Sequence, residues 1–190
     1  MTSPTIADHL WTPRQGMTGL MRQAVLVLAG SAIIAVSARI QVPMWPVPVT
    51  MQTLAVLLIA LSFGARLATA TLGAYLLQGA LGLPVFSTGG GIAYLLGPTA
   101  GYLFGFFAVA LVVGHLADRG WHRSRLGTLA AMGIGSTLIY AFGAGWLAVH
   151  IGPAQAVSLG VLPFLAGDLL KAAIAVLILP QVWALVSRVR

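Results

Sequence analysis

The chain has 190 residues, of which 59% are hydrophobic and 7% charged. A soluble domain carries about 25% charged residues, so this composition excludes one and indicates an all-α integral membrane protein. The formal charge of +7 comes from arginines dispersed among apolar runs, which is a membrane-topology pattern and not a nucleic-acid-binding patch.

Residues 1–16 include Asp8, His9, Trp11, Pro13 and Arg14 and lack an apolar core followed by a small-residue cleavage site. We expect a short cytoplasmic segment there, no cleavable signal peptide, and a single six-helix membrane domain over residues 17–190. The apolar runs are long and continuous, without the alternation that marks barrel strands, so they predict helices. Six transmembrane helices are predicted, over 17–38, 51–63, 65–83, 92–116, 126–149 and 163–187. The second reaches only about 20 Å against a hydrocarbon core of about 30 Å. It is expected to begin within the Pro-rich stretch 41–48 or to form a partial span.

Cationic side chains outside these helices, with Arg22 at the edge of the first, fall almost wholly on one side. Arg14, Arg22, Arg66, Arg119, Arg123, Arg125, Arg188 and Arg190 lie on that side, and Arg39 alone on the other. The positive-inside rule then places both termini in the cytoplasm, which requires an even number of spans. Three nearly uncharged loops face outward, at 39–50, 84–91 and 151–162. Their Pro, Gly, Ser and aromatic content suits a lid over a small molecule, although the third reads equally as a tight connection.

Inside the last helix stand Asp168 and Lys171, the sole acid and sole lysine of the apolar part of the chain. An ionised group at mid-bilayer costs about 2.5–3.5 kcal/mol on insertion scales, so such residues usually face a cavity, a partner or a substrate. Their i, i+3 spacing puts both on one helix face, where they could also simply neutralise each other. With Pro163 at the first helical position, Asp168 lies about 7.5 Å below the outer mouth.

Small residues mark packing faces: Gly97, Gly101 and Gly105 in the fourth helix, Ser31 and Ala35 in the first, Ala60 and Gly64 closing the second. Pro180 removes the hydrogen bond to the Val176 carbonyl and is expected to kink the sixth. Enzyme chemistry is poorly supplied. The remaining acids, Asp8 and Asp118, are read as cytoplasmic, and His9, His115, His122 and His150 are scattered over both membrane faces, so no metal site is expected. Cysteine is absent, which excludes disulfides and thiolate metal sites. Neither a G-x-S-x-G elbow nor a P-loop occurs, so the chain is not expected to hydrolyse ATP itself.

Four separated motifs, in order over residues 39–180, are PVPVTMQTLAVLL, GALGLPVFSTGGG, GPTAGYLFGF and GDLLKAAIAVLILP. Together they resemble the BioY family, the biotin-binding membrane subunits (S components) of energy-coupling factor (ECF) vitamin transporters. The resemblance implies a multi-pass protein of the bacterial cytoplasmic membrane that captures biotin from outside. It also implies a transmembrane coupling subunit and a pair of ABC-type ATPases as partners, with ATP used only through them and no cofactor in this chain. A homo-oligomer embedded in lipid is a further arrangement to consider. By motif, Asp168 and Lys171 are the expected binding residues, and Phe86, Ser87, Thr88, Gly89, Gly90 and Gly91 lie near the ligand. The coupling motif expected on the first helix is represented only by Ser31 and Ala35.

The chemistry of the residues agrees with such a ligand. Biotin offers two ureido N–H donors, an apolar fused ring and a carboxylate tail, and Asp168 can accept charge-assisted bonds from the ureido N–H groups. Lys171 then either meets the ligand carboxylate or holds Asp168 in place. Arg39 at the mouth would leave the site one positive charge before an anionic ligand enters. Trp45, Phe86 and Tyr94 are candidate walls for the ring. Two alternatives stand beside this reading: a self-contained secondary transporter, oligomeric or coupled to protons through Asp168, for biotin or another small carboxylate, and a nontransporting adaptor in which the charged pair is packing glue.

Overall fold

The computed structural model describes residues 5–7 and 19–188. Most of segment 1–16, with Arg14, lies outside the described residues, as does Arg190. Helix α1 spans Gly19–Arg39, α2 Gln52–Ala80, α3 Ala100–Asp118, α4 Arg125–Ile151, α5 Pro153–Gly160 and α6 Leu162–Arg188. Among the described residues, five helices are long and apolar enough to cross a membrane: α1, α2, α3, α4 and the run Pro153–Leu185 that joins α5 to α6. Leu20, Leu28 and Val36 of α1 and Leu169, Leu177 and Leu185 of α6 are all exposed. An apolar surface of this extent is incompatible with water and fits a lipid environment.

The second and third predicted helices merge into α2, but Gly64 within it is not helical, with φ 75° and ψ 173°. That region of backbone space is open essentially to glycine alone. The Gln52 side-chain amide donates to the Tyr75 hydroxyl at 2.7 Å, whereas 23 residues of straight helix would separate them by about 34 Å. Residues 52–63 and 65–80 therefore run antiparallel, with Gly64 as the reversal. Asp118, at the end of α3, stabilises this reversal by accepting the Ala65 backbone N–H through Oδ2 at 3.2 Å. A Cβ on Gly64 would lie 2.1 Å from Asp118 Oδ1.

The predicted helix over 92–116 is divided. Residues Ile92–Leu96 form a 3₁₀ turn, Gly97 is extended with ψ 178°, and α3 begins only at Ala100. Pro98 supplies the reason, because its ring disfavours helical backbone at the residue before it. The outer segments are also more ordered than loops. Gln41–Val42 (β1) and Val49–Thr50 (β2) pair antiparallel, Gln41 opposite Thr50, and most of stretch 151–162 is α5, entered through Gly152 at φ 84°.

Helix α3 is the most enclosed of the candidate spans. A Cβ on Gly101 would lie 2.3 Å from that of Trp146, and one on Gly105 would lie 3.0 Å from Ile139 Cα, so two of the recurrent glycines admit α4 closely. The third, Gly97, sits in the break ahead of the helix. On α1, Ser31 is buried and donates to the Gln78 Oε1 at 2.7 Å, so it binds α2. Helix α6 continues through Pro180.

Candidate functional site

The polar centre of the fold is a hydrogen-bonded cluster on α6. Lys171 is 6% exposed, and its ammonium donates to Asp168 Oδ1 at 2.8 Å, the Thr53 hydroxyl at 2.6 Å and the Thr50 carbonyl at 2.9 Å. An ammonium has three N–H donors, so each has an acceptor inside the protein. Through these contacts Lys171 holds Asp168 and the start of α2. Asp168 in turn accepts from the Thr53 hydroxyl at 3.2 Å and, through Oδ2, from the Tyr140 hydroxyl at 2.5 Å. Two opposite charges with every polar atom near them engaged remove most of the cost of placing either in an apolar interior.

In front of this cluster lies a small, nearly filled cavity of about 30 Å³. Thr50, Gln52, Thr53 and Tyr140 supply one polar wall, and Ser87 and Tyr94 supply a polar corner. Val47, Leu103, Phe106, Ile139 and Phe164 add apolar surface. Asp168 and Lys171 are not among the lining residues; they stand directly behind Thr53 and Tyr140. The cavity lining thus carries no formal charge. Short helix α5 helps to close it, since Gly160 accepts the Tyr102 hydroxyl at 2.7 Å and Tyr102 stacks on Phe164 with ring centroids 6.1 Å apart.

The Gly-rich segment after α2 contributes in a divided way. Ser87 is 5% exposed and lines the cavity, and its hydroxyl lies 2.8 Å from that of Tyr94. Phe86 is fully buried but faces inward, edge-on to Tyr75 at 5.4 Å and stacked on Tyr94 at 4.9 Å. It fits only because Gly79 has no side chain, since a Cβ there would come 2.0 Å from the ring. The ring is therefore a support for Tyr94 and not itself a cavity wall. Gly89 exchanges backbone bonds with Phe86, Gly90 packs on the Leu83 carbonyl, and the Gly91 N–H donates to the Gly79 carbonyl at 2.6 Å. These glycines shape the turn, while Thr88 is exposed and reaches Tyr94 only at 3.5 Å.

Arg39 is at the end of α1, where its guanidinium donates to the Pro84 carbonyl and, at 3.4 Å, to that of Ser87. It braces the Ser87 segment and does not line the cavity. Trp45, at the turn between β1 and β2, is 74% exposed and is likewise separate from it, although Val47 and Pro48 of the same connection form part of the wall. Sequence reasoning passed over Tyr140, Thr50, Gln52, Thr53 and Tyr102. A signal for three of them was present, as Thr50, Gln52 and Thr53 are the polar positions of an otherwise apolar motif. For Tyr140 and Tyr102 there was none, because one aromatic in an apolar helix does not declare which face is inside.

Comparison with known proteins supports the resemblance. The BioY family profile matches residues 8–188. The chain is 41% identical over 160 residues to a biotin transporter BioY of Thermotoga maritima, covering 83% of this chain and 94% of that one. It is 40% identical over 153 residues to the biotin transporter BioY2 of Lactococcus lactis, covering 77% and 82%. The fold is similar to the crystal structure of the S component for biotin from an ECF-type ABC transporter, with a TM-score of 0.73 at 23% identity over 89% of this chain and 95% of that one. A profile match over nearly all of the chain, with full-length relatives at this identity, means that the chain belongs to the BioY family.

Proposed function

We propose that this chain captures biotin at the outer face of the bacterial cytoplasmic membrane, as the substrate-binding subunit of an ECF-type transporter. The observation that carries this reading is the neutral cavity backed by Asp168 and Lys171 in a BioY-family chain. Its polar wall suits the ureido ring, its apolar surface the fused ring, and Arg39 behind Ser87 leaves a net positive edge for the carboxylate. Asp168, Lys171, Tyr140, Thr53, Ser87 and Tyr94 form the recognition site in this proposal, with Arg39, Phe86 and Gly89 to Gly91 supporting it.

The reversal at Gly64 supports counting α2 as two crossings, hence six with α1, α3, α4 and α6. The arginine bias supports placing both termini in the cytoplasm. The chain is a transport component and not an enzyme. A transmembrane coupling subunit and ABC-type ATPases would supply the energy, with ATP bound by those partners alone. Proton coupling through Asp168 is disfavoured by its engagement with Lys171, Thr53 and Tyr140.

The test is calorimetric titration of the purified full chain with biotin, biotin amide and dethiobiotin. Tight stoichiometric biotin binding, weakened for the amide, is expected. Folded protein that gives no heat and retains no labelled biotin overturns the assignment. Uptake in whole cells that survives ATP depletion but stops with a protonophore would favour a secondary transporter instead.

A further inference from the structure

Two neighbouring concavities lie outside the cavity described above. A groove of about 760 Å³ runs between α1, the first half of α2 and the Pro180 region of α6, and Leu26, Ile33, Ile40, Leu54, Leu58 and Ile178 give it a mostly apolar lining. Ile33, Ile40 and Ile178 are exposed along it, so it opens sideways to the bilayer. From Leu26 to Ser37 the groove follows α1 for about 17 Å. That matches the depth of one leaflet, about 15 Å or half of the hydrocarbon core.

Phe63 also borders a second hollow, a basin of about 560 Å³ lined by Arg22, Gln23, Arg66 and Asp118. Residues 5–7 lie between the two. Thr5 lines the basin, Ile6 and Ala7 are buried against the groove, and the Arg22 guanidinium donates to the Ala7 carbonyl at 2.6 Å. Arg66, two positions past the reversal at Gly64, is exposed. Two arginines and one aspartate leave the basin one positive charge, and Asp118 Oδ2 is turned to the Ala65 N–H.

We infer that this chain binds one anionic phospholipid, its phosphate held by Arg22 and Arg66 in the basin and one acyl chain laid along the groove between α1 and α6. The groove accepts any acyl chain, so the choice of lipid comes from the basin. Guanidinium groups hold phosphate through charge-assisted hydrogen bonds. A phosphodiester with a single negative charge brings the basin to neutrality, whereas a zwitterionic headgroup sets an ammonium beside two arginines. The arginine excess of the chain is at this same end, as befits the leaflet rich in anionic lipid. A water-soluble phosphate shares the headgroup chemistry but leaves the groove empty. None of this depends on the biotin reading.

Native mass spectrometry of the purified full chain, released from dodecyl maltoside, tests the site. The probes are phosphatidylglycerol, phosphatidylethanolamine with the same acyl chains, and inorganic phosphate. Phosphatidylglycerol should be retained at one per chain and at least fivefold more tightly than phosphatidylethanolamine, with inorganic phosphate leaving the lipid in place. Arg66→Gln should cut that preference about fivefold. Ile33→Trp, which fills the groove from its exposed rim, should weaken both lipids and spare the preference between them. Melting of each variant without lipid reports folding.

Equal retention of the two lipids by the unmodified chain overturns the inference, as does an unchanged preference in Arg66→Gln or unchanged retention in Ile33→Trp. Inorganic phosphate that displaces phosphatidylglycerol overturns it too, since the anion site would then need no acyl chain. So does a chain that flies only as a lipid-free dimer, which would give the groove to a second copy.

Discussion

The Lys171 ammonium lies 2.6 Å from the Thr53 hydroxyl, joining α6 to the start of α2 across 118 positions of sequence. Through this contact the one buried cation of the described helices fixes the polar wall of the cavity. The wall and its charged backing are one hydrogen-bonded unit, so substitutions behind the cavity should be read out in front of it.

Lys171→Met leaves Asp168 in an apolar setting without its counter-charge. We expect a stability loss of about 3–5 kcal/mol, seen as a lowered melting temperature in detergent. Adding Asp168→Asn to the same chain removes the uncompensated charge and should recover most of that loss without recovering biotin affinity. A single variant as stable as the unmodified chain would show that the ion pair contributes nothing to folding.

Gly64→Ala places a side chain at φ 75°, ψ 173° and within 2.1 Å of Asp118 Oδ1. The backbone strain alone should cost about 1–3 kcal/mol. Unfolding of the variant in dodecyl maltoside, compared with a Gly133→Ala control at a position with nothing nearby, should show the difference.

Asp118→Ala removes the acceptor for the Ala65 N–H at the start of the second half of α2. As with other lost caps, a destabilisation of about 0.5–2 kcal/mol is expected. The cavity is on the opposite end of this helical hairpin, so biotin affinity measured on the folded fraction should hold.

Trp45→Ala and Tyr94→Ala separate the aromatic candidates. Trp45 is 74% exposed and away from the cavity, and surface substitutions of this kind stay within about 0.5 kcal/mol, roughly a twofold change in affinity. Tyr94 lines the cavity, stacks on Phe86 and bonds Ser87, so its truncation should weaken biotin by about tenfold or more. Equal effects in a binding titration would contradict the placement of these two rings.

The sequence by itself determined what depends on composition and near neighbours. A chain with 7% charged residues could only be a membrane protein, and the i, i+3 spacing of Asp168 and Lys171 marked a pair that can meet on one helix face, as the 2.8 Å ion pair does. The family motifs were equally local. Tertiary structure alone decided which side chains meet those charges. Tyr140 is 28 positions from Asp168 and Thr53 is 115 positions away, and no periodicity encodes such distances. It also decided that α2 reverses at Gly64 and that Lys171 is fully engaged inside the protein. Those outcomes depend on how helices pack in three dimensions, which brings together residues that no local preference of the chain relates.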